Sequence, residues 1–273
     1  MHRGFAILLA LVTVASPAAA RRIVSTNPCV DAILMQVADP ADIAAISNYS
    51  RDPRSSSISA AEAQRFRGNS GSAEELIALR PDLVIADTLM ALATVQALKR
   101  LHVPLLQLPA PASLSESRNQ IAAVAGAAGH PERGAFLNRR IAEAVARGRI
   151  IGKPPVSVLI WQGSGLVLGT GTLADALIRN AGFVNHSPAY GFGQWGVVSV
   201  EALVANPPAL ILMGGADADA GNAGDRMLNH PALRALKARI AVRPFPSRLF
   251  RCGGPSIIAA AAALADVRRR LPR

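Results

Sequence analysis

Apolar residues fall along this chain in short aliphatic blocks, separated by longer segments in which they recur at helical spacing. The blocks are Ile23-Val24-Ser25, Ile43 to Ile46, Leu83 to Ala86, Val103 to Leu108, Val156 to Trp161, Leu210 to Met213 and Val242 to Phe245. Short, β-branched and bounded by breakers, they predict strands buried on both faces of a parallel sheet. The segments between them predict helices over about Cys29–Ala38, Ala60–Gln64, Met90–Leu101, Leu114–Ala128, Thr172–Ala181, Ala232–Ala238 and Ser256–Arg270. Strand and helix alternate throughout, which is the pattern of an α/β fold.

Two stretches repeat one unit. Ser72 to Ile85 and Ser199 to Leu212 match at Ser72/Ser199, Glu74/Glu201, Leu76/Leu203, Ala78/Ala205, Pro81/Pro208 and Leu83/Leu210. Each copy reads as an N-capping serine, a short helix, a proline stop and a buried strand. A fainter echo relates Asp31-Ala32-Ile33-Leu34 to Asp175-Ala176-Leu177-Ile178. The chain therefore divides into two similar α/β halves. Within the first copy, Glu75 stands three positions after Ser72 and can complete a capping box. Glu74 and Glu201 have no such task, and their plainest role is a surface carboxylate matched to a helix dipole.

Between the halves, Pro131 to Ile151 carries Pro just inside a helix start, apolar residues at Phe136, Leu137, Ile141 and Val145, and basic residues near its end. It predicts one rigid connecting helix. The expected organisation is a leader over 1–20, an N-terminal lobe over 21–129, the connecting helix over 130–153 and a C-terminal lobe over 154–273. The polar stretch Tyr49 to Ser59, the Gly-rich Gly163 to Gly171 and the Gly/Ala/Asp-rich Gly214 to Asp225 are expected loops.

The leader has a cationic start, an apolar run from Phe5 to Val14 and the small-residue end Ala18-Ala19-Ala20. That is a secretory signal peptide with cleavage expected after Ala20, so the mature chain is expected in the periplasm. The net charge is +11. The basic residues are scattered, with small clusters at Arg139-Arg140 and Arg268-Arg269-Arg270, and aromatic residues are few, which argues against nucleic acid as the partner.

Several motifs fail on context. Gly169-x-Gly171-x-x-Ala174 fits the loose dinucleotide fingerprint, but no acidic residue stands where a ribose would need one, so the loop reads as a cleft-lining turn. Asp217, Asp219 and Asp225 lack the closing Glu of a calcium loop. The histidines show no metal-ligand spacing, no nucleophile elbow is present, and no metal site or catalytic residue is assigned. Cys29 and Cys252 are the only cysteines. In an exported chain such a pair defaults to a disulfide, the alternative being two separate cleft thiols.

The opening RIVSTNP, the segment GSAEELIALRPDLVIA, the later SVEALVANPPALIL and the late RCGGP resemble the helical-backbone periplasmic binding proteins of ABC importers for cobalamin and ferric siderophores. The likeness spans nearly all of the chain after the leader. It implies two Rossmann-like lobes with parallel sheets joined by one long helix (the class III plan), a ligand held between the lobes, no catalysis, and a monomer that delivers a metal chelate to an ABC permease and its ATPase. In that family one glutamate per lobe docks onto permease arginines, and the resemblance places these at Glu74 and Glu201. It places ligand contacts at Tyr49 and Trp195, with Asn69 standing near a position that is tryptophan in cobalamin binders. Arg51, Trp161, Phe192, Arg248 and Arg251 are further ligand candidates, because strand ends and the loops after them face the cleft in this fold. The competing functions are a chelatase-type enzyme acting on a tetrapyrrole and a sensor without transport, both on the same plan.

Overall fold

The computed structural model describes residues 21–53, 55–214, 230–231 and 239–271. The expected signal peptide, the expected Asp217/Asp219/Asp225 loop and the expected Ala232–Ala238 helix lie outside the described residues.

The first lobe runs β1 (Ile23–Ser25), α1 (Pro28–Val37), β2 (Ile43–Ser47), α2 (Ala60–Gln64), β3 (Gly68–Asn69), α3 (Ala73–Ala78), β4 (Leu83–Asp87), α4 (Leu92–Arg100), β5 (Leu105–Leu108) and α5 (Leu114–Ala127). Its sheet is wholly parallel, in the order β3-β2-β1-β4-β5. After α6 (Pro131–Arg147) the second lobe runs β6 (Val156–Gly163), β7 (Leu166–Leu168), α7 (Leu173–Asn180), β8 (Phe183–Asn185), β9 (Trp195–Val197), α8 (Val200–Ala205), β10 (Leu210–Gly214), β11 (Ala241–Phe245), α9 (Arg248–Arg251) and α10 (Ser256–Arg270).

The second sheet departs from the all-parallel expectation. β6, β8, β10 and β11 pair in parallel, whereas β7 runs antiparallel to both β6 and β9. The stretch expected to be a Gly-rich loop thus contains a strand. Its glycines allow the close approach, since a Cβ on Gly169 would fall 1.7 Å from the Gly193 carbonyl oxygen.

The repeated unit folds as its sequence predicts, and in equivalent places. Ser72 Oγ accepts from Glu75 N–H and Ser199 Oγ from Ala202 N–H, capping α3 and α8. The strands that follow, β4 and β10, pair with the first strand of their own lobes, β1 and β6. One detail differs: the Glu75 carboxylate reaches back to the N–H and hydroxyl of Ser70 rather than to Ser72. Among the described residues, the reciprocal capping box forms at Ser59 and Glu62.

Helix α6 buries Gly134, Leu137, Ile141 and Ala144, one stripe at helical spacing, and ends at Arg147, short of the expected Ile151. Phe136 lies outside that stripe and is exposed beneath the guanidiniums of Arg139 and Arg140. One face of α6 meets α1 and α5 and another meets α10, so a single apolar cluster runs from Ile33 and Ile121 through Ile141 to Ile257 and Leu264. Arg268, expected in a solvated basic cluster, is instead buried and donates to the carbonyls of Gly182 and Pro154.

Candidate functional site

In each lobe the parallel strands end toward one edge of the sheet, and the turns after them carry the chemistry. β9 is antiparallel to β7, which is antiparallel to β6, so β9 points the same way as β6. The starts of α3 and α8 therefore lie at the strand-end edges, and so do Glu74 and Glu201. Both glutamates are exposed. Glu74 makes no hydrogen bond or ion pair among the described residues. The Glu201 carboxyl is held below its ordinary range by its own backbone N–H, the Ser199 hydroxyl and the nearby His230.

Tyr49 sits in a single 3₁₀ turn, Asn48–Arg51, directly after β2, and is 65% exposed. The turn is fixed from below: Ser47 Oγ accepts from Tyr49 N–H, while Asp31 on α1 accepts from Ser47 N–H at 2.9 Å and from Ser50 Oγ at 2.5 Å. Arg51 is exposed and donates to the Phe66 carbonyl. Asn69 is buried and ties the strand ends together, its amide donating to the carbonyls of Ser25 and Ile46. It has no face to offer a ligand.

In the second lobe Trp195 on β9 is 67% exposed, and Phe192 is half-buried beneath the same strand, packed against Gly196. Trp161 corrects the expectation placed on it. It is 1% exposed and belongs to the lobe core with Val167, Val198, Leu203 and Ile211, so its ring offers a ligand no surface. The residue sits on the central strand β6, between β7 and β10, where both sheet faces are covered. Arg248 and Arg251 are exposed, on α9 after β11.

A groove of about 430 Å³ lies between the lobes. Its first wall is the Ala110-Pro111-Ala112 segment after β5, and its second is Leu166, Leu168, Leu173, Gln194 and Trp195. Of the ligand candidates nominated from sequence, Trp195 alone lines it. The Pro-Ala-Pro run after β5 was the signal available for the other wall. Leu89, 90% exposed in the turn after β4, is a further apolar group on the strand-end edge that went unnoticed. A larger cavity, about 590 Å³, lies between α5 and α6, lined by Leu114, Arg118, Asn138, Ile141 and Arg149 and reached by Asn180 of the second lobe; none of the nominated ligand residues lines it.

Cys29, in the first turn of α1, and Cys252, between α9 and α10, form a disulfide with a Cα separation of 5.2 Å. The adjoining Gly253-Gly254 turn inserts into lobe one, with Gly254 N–H donating to Ser117 Oγ at 2.8 Å and a Cβ on Gly254 falling 2.9 Å from Ile33. Asp39, Asp42 and His130 offer ligand atoms within 4.8 Å of one another, a grouping that sequence spacing did not reveal. Asp39 is already engaged by Arg133 at 2.8 Å and His130 at 3.3 Å, and Arg133 holds its carboxyl below the usual range. The Arg133–Asp39 ion pair at the centre of the cluster fastens α6 to the end of α1.

Two α/β lobes joined through a helix, with a groove between their strand-end edges, define a cleft-type binding protein. The sequence profile of the periplasmic binding protein family matches residues 23–241, and the chain belongs to that family. Its members are binding components of transport systems rather than catalysts. The fold is similar to that of the periplasmic heme-binding protein RhuT from Roseiflexus sp. RS-1, at 23% identity and a TM-score of 0.71, covering 91% of this chain and 99% of that one. It is also similar to the heme-binding protein HutB of Vibrio cholerae (18% identity, TM-score 0.72, 91% and 98% covered). The vitamin B12-binding protein BtuF of Vibrio cholerae matches over 93% of this chain and 100% of its own (18% identity, TM-score 0.69). No curated protein matches by sequence.

Proposed function

We propose that this chain is the periplasmic solute-binding component of an ABC importer. It carries a bulky metal chelate, of the heme, cobalamin or ferric-siderophore class, between its lobes. The observation that carries this reading is the pair of large exposed aromatics, Tyr49 and Trp195, one on each lobe and both at strand-end turns or edges. Aromatic rings supply wide contact area for a flat or globular chelate at low entropic cost. The groove beside Trp195 is apolar, and the exposed guanidiniums of Arg51, Arg248 and Arg251 suit an anionic group such as the propionates of heme or the phosphate of cobalamin. Heme-binding and B12-binding proteins with this fold support the class of ligand. In this reading Glu74 and Glu201 dock onto permease arginines, and the signal peptide ends at Ala20.

The test is titration of the mature protein with hemin, cyanocobalamin and a ferric siderophore. Binding is followed in the visible absorption of the chelate itself, which does not depend on the protein's two tryptophans as reporters. A saturable absorption change with one of the three, with weaker affinity in Tyr49→Ala and Trp195→Ala, is the expected result. No binding of any of them overturns the reading.

A further inference from the structure

Beneath the Tyr49 turn lies a carboxylate that the binding reading does not use. Asp31 is 0% exposed. Its Oδ2 accepts from Ser47 N–H and Ser50 Oγ, the residues on either side of Tyr49, with the Ser25 hydroxyl also against it. Its Oδ1 has no partner. The duplicated position in lobe two, Asp175, is buried as well, but Arg179 one turn on pairs with it at 3.1 Å. In lobe one the place of that arginine is taken by Met35. The two copies have diverged at one point: one buried aspartate kept a cation, and the other has none among the described residues.

Among the described residues, no charged side chain pairs with Asp31. It is the only charged residue of α1, and β1 and β2 carry none. Arg51 of the turn donates to Phe66, and Asp87 of β4 accepts from Asn27. On α5, Glu116 accepts from Ala112 N–H and Arg118 donates to Ser115. Arg133 of α6 and His130 engage Asp39 at the far end of α1. Arg251 is exposed on α9.

We infer that Asp31 is a positioning residue that makes the Tyr49 turn responsive to pH: neutral, it holds the turn closed for a ligand, and ionised, it favours opening of the turn to water. An ionised carboxylate without a counter-charge gains most from hydration, and the thin cover of the Ser47–Ser50 segment is the nearest route by which water can reach it. Burial outweighs the hydrogen bonds and pushes the carboxyl up from 3.8 to about 7. A chelate resting on Tyr49 keeps the turn shut, so binding favours the protonated acid and weakens as pH rises. The coupling to affinity rests on the proposed role of Tyr49 as a ligand contact; the coupling of turn to pH does not.

The chain has two tyrosines, Tyr49 and Tyr190, which makes ¹³C-tyrosine NMR of the full mature protein a direct readout. Between pH 5.5 and 8.5 the Tyr49 ring signal, assigned with Tyr49→Phe, should move with a midpoint near 7 and cease to move in Asp31→Asn, which keeps the shape but cannot ionise. A Tyr49 signal that does not move in the wild-type protein overturns the inference, and so does one that moves equally in Asp31→Asn. For cyanocobalamin, affinity should fall by about tenfold from pH 6 to pH 8 and become flat with pH in Asp31→Asn. Equal loss of affinity at every pH in the variant would mark a merely structural role and sink the positioning claim. If cyanocobalamin does not bind while Tyr49 still follows Asp31, the choice of ligand fails and this inference stands.

Discussion

Breaking the Cys29–Cys252 bond tests how firmly the lobes are joined. The bond closes a loop with a sequence separation of 223, which in the chain-entropy treatment stabilises the fold by about 5 kcal/mol. Domains of this size are stable by roughly 5–15 kcal/mol, so the loss takes a third or more of the total. The native contacts around the bond do not depend on it: Gly254 N–H still finds Ser117 Oγ, and Leu264 still packs into the cluster around α6. The expectation is thus a folded but much weaker protein. Urea unfolding of wild type and of Cys29→Ala/Cys252→Ala, followed by the fluorescence of buried Trp161, should show the extrapolated stability falling by about 5 kcal/mol. Thiol titration of denatured, unreduced wild type should find no free thiol. Two free thiols, or a double variant as stable as wild type, would refute the covalent tie.

Burial of Asp31 also sets a pH dependence of stability. Its folded pKa lies above the unfolded value of 3.8, so the folded state holds a proton that the unfolded chain has released between about pH 4 and 7. Stability is therefore greatest below that window and falls across it, by at most about 1.4 kcal/mol per pH unit, and Asp31→Asn should flatten the curve measured by urea midpoints from pH 5 to 8. Trp161→Ala should destabilise by about 3 to 5 kcal/mol through loss of core packing, whereas Trp195→Ala, on the exposed face of β9, should leave stability nearly unchanged and weaken chelate affinity read from the chelate's absorption. Glu74→Ala with Glu201→Ala should abolish uptake in cells and leave chelate affinity intact, each single change being milder; loss of chelate binding in the double variant would refute the docking assignment.

The fold was largely readable because parallel α/β architecture announces itself in aliphatic runs and helical spacing, and because the duplication displayed the same unit twice. Reading failed where composition and structure part company. β7 and β9 were missed because each is short and rich in glycine neighbours, and an antiparallel pair on a parallel sheet needs a partner that local sequence does not reveal. Trp161 was misplaced for a related reason. A strand end predicts nearness to the cleft, but whether a side chain points into the groove or into the core depends on register, and β6 turns this ring inward. Arg268 shows the opposite error: a run of arginines suggests solvent, yet one face of α10 is covered and its arginine finds carbonyls there. Asp31 could be seen as part of a repeat; that it lacks the cation of its twin became meaningful only once both were known to be buried.

The way the lobes are joined bears on how a transporter could read this protein. α6 shares its packing with both lobes, the Gly253-Gly254 turn is seated against Ile33 and Ser117, and the disulfide fastens the same corner. Opening the lobes as rigid halves would have to break a continuous apolar cluster, and packed interiors resist such deformation. The separation between the starts of α3 and α8 is then set by the fold and not by the ligand. If Glu74 and Glu201 dock as proposed, they form a two-point ruler of fixed span, which gives orientation and on-rate but little discrimination between loaded and empty protein. Discrimination must come from what can change locally at the strand-end edge, and on the inference above that segment is the Tyr49 turn, whose anchor Asp31 is buried and unpaired with any cation among the described residues.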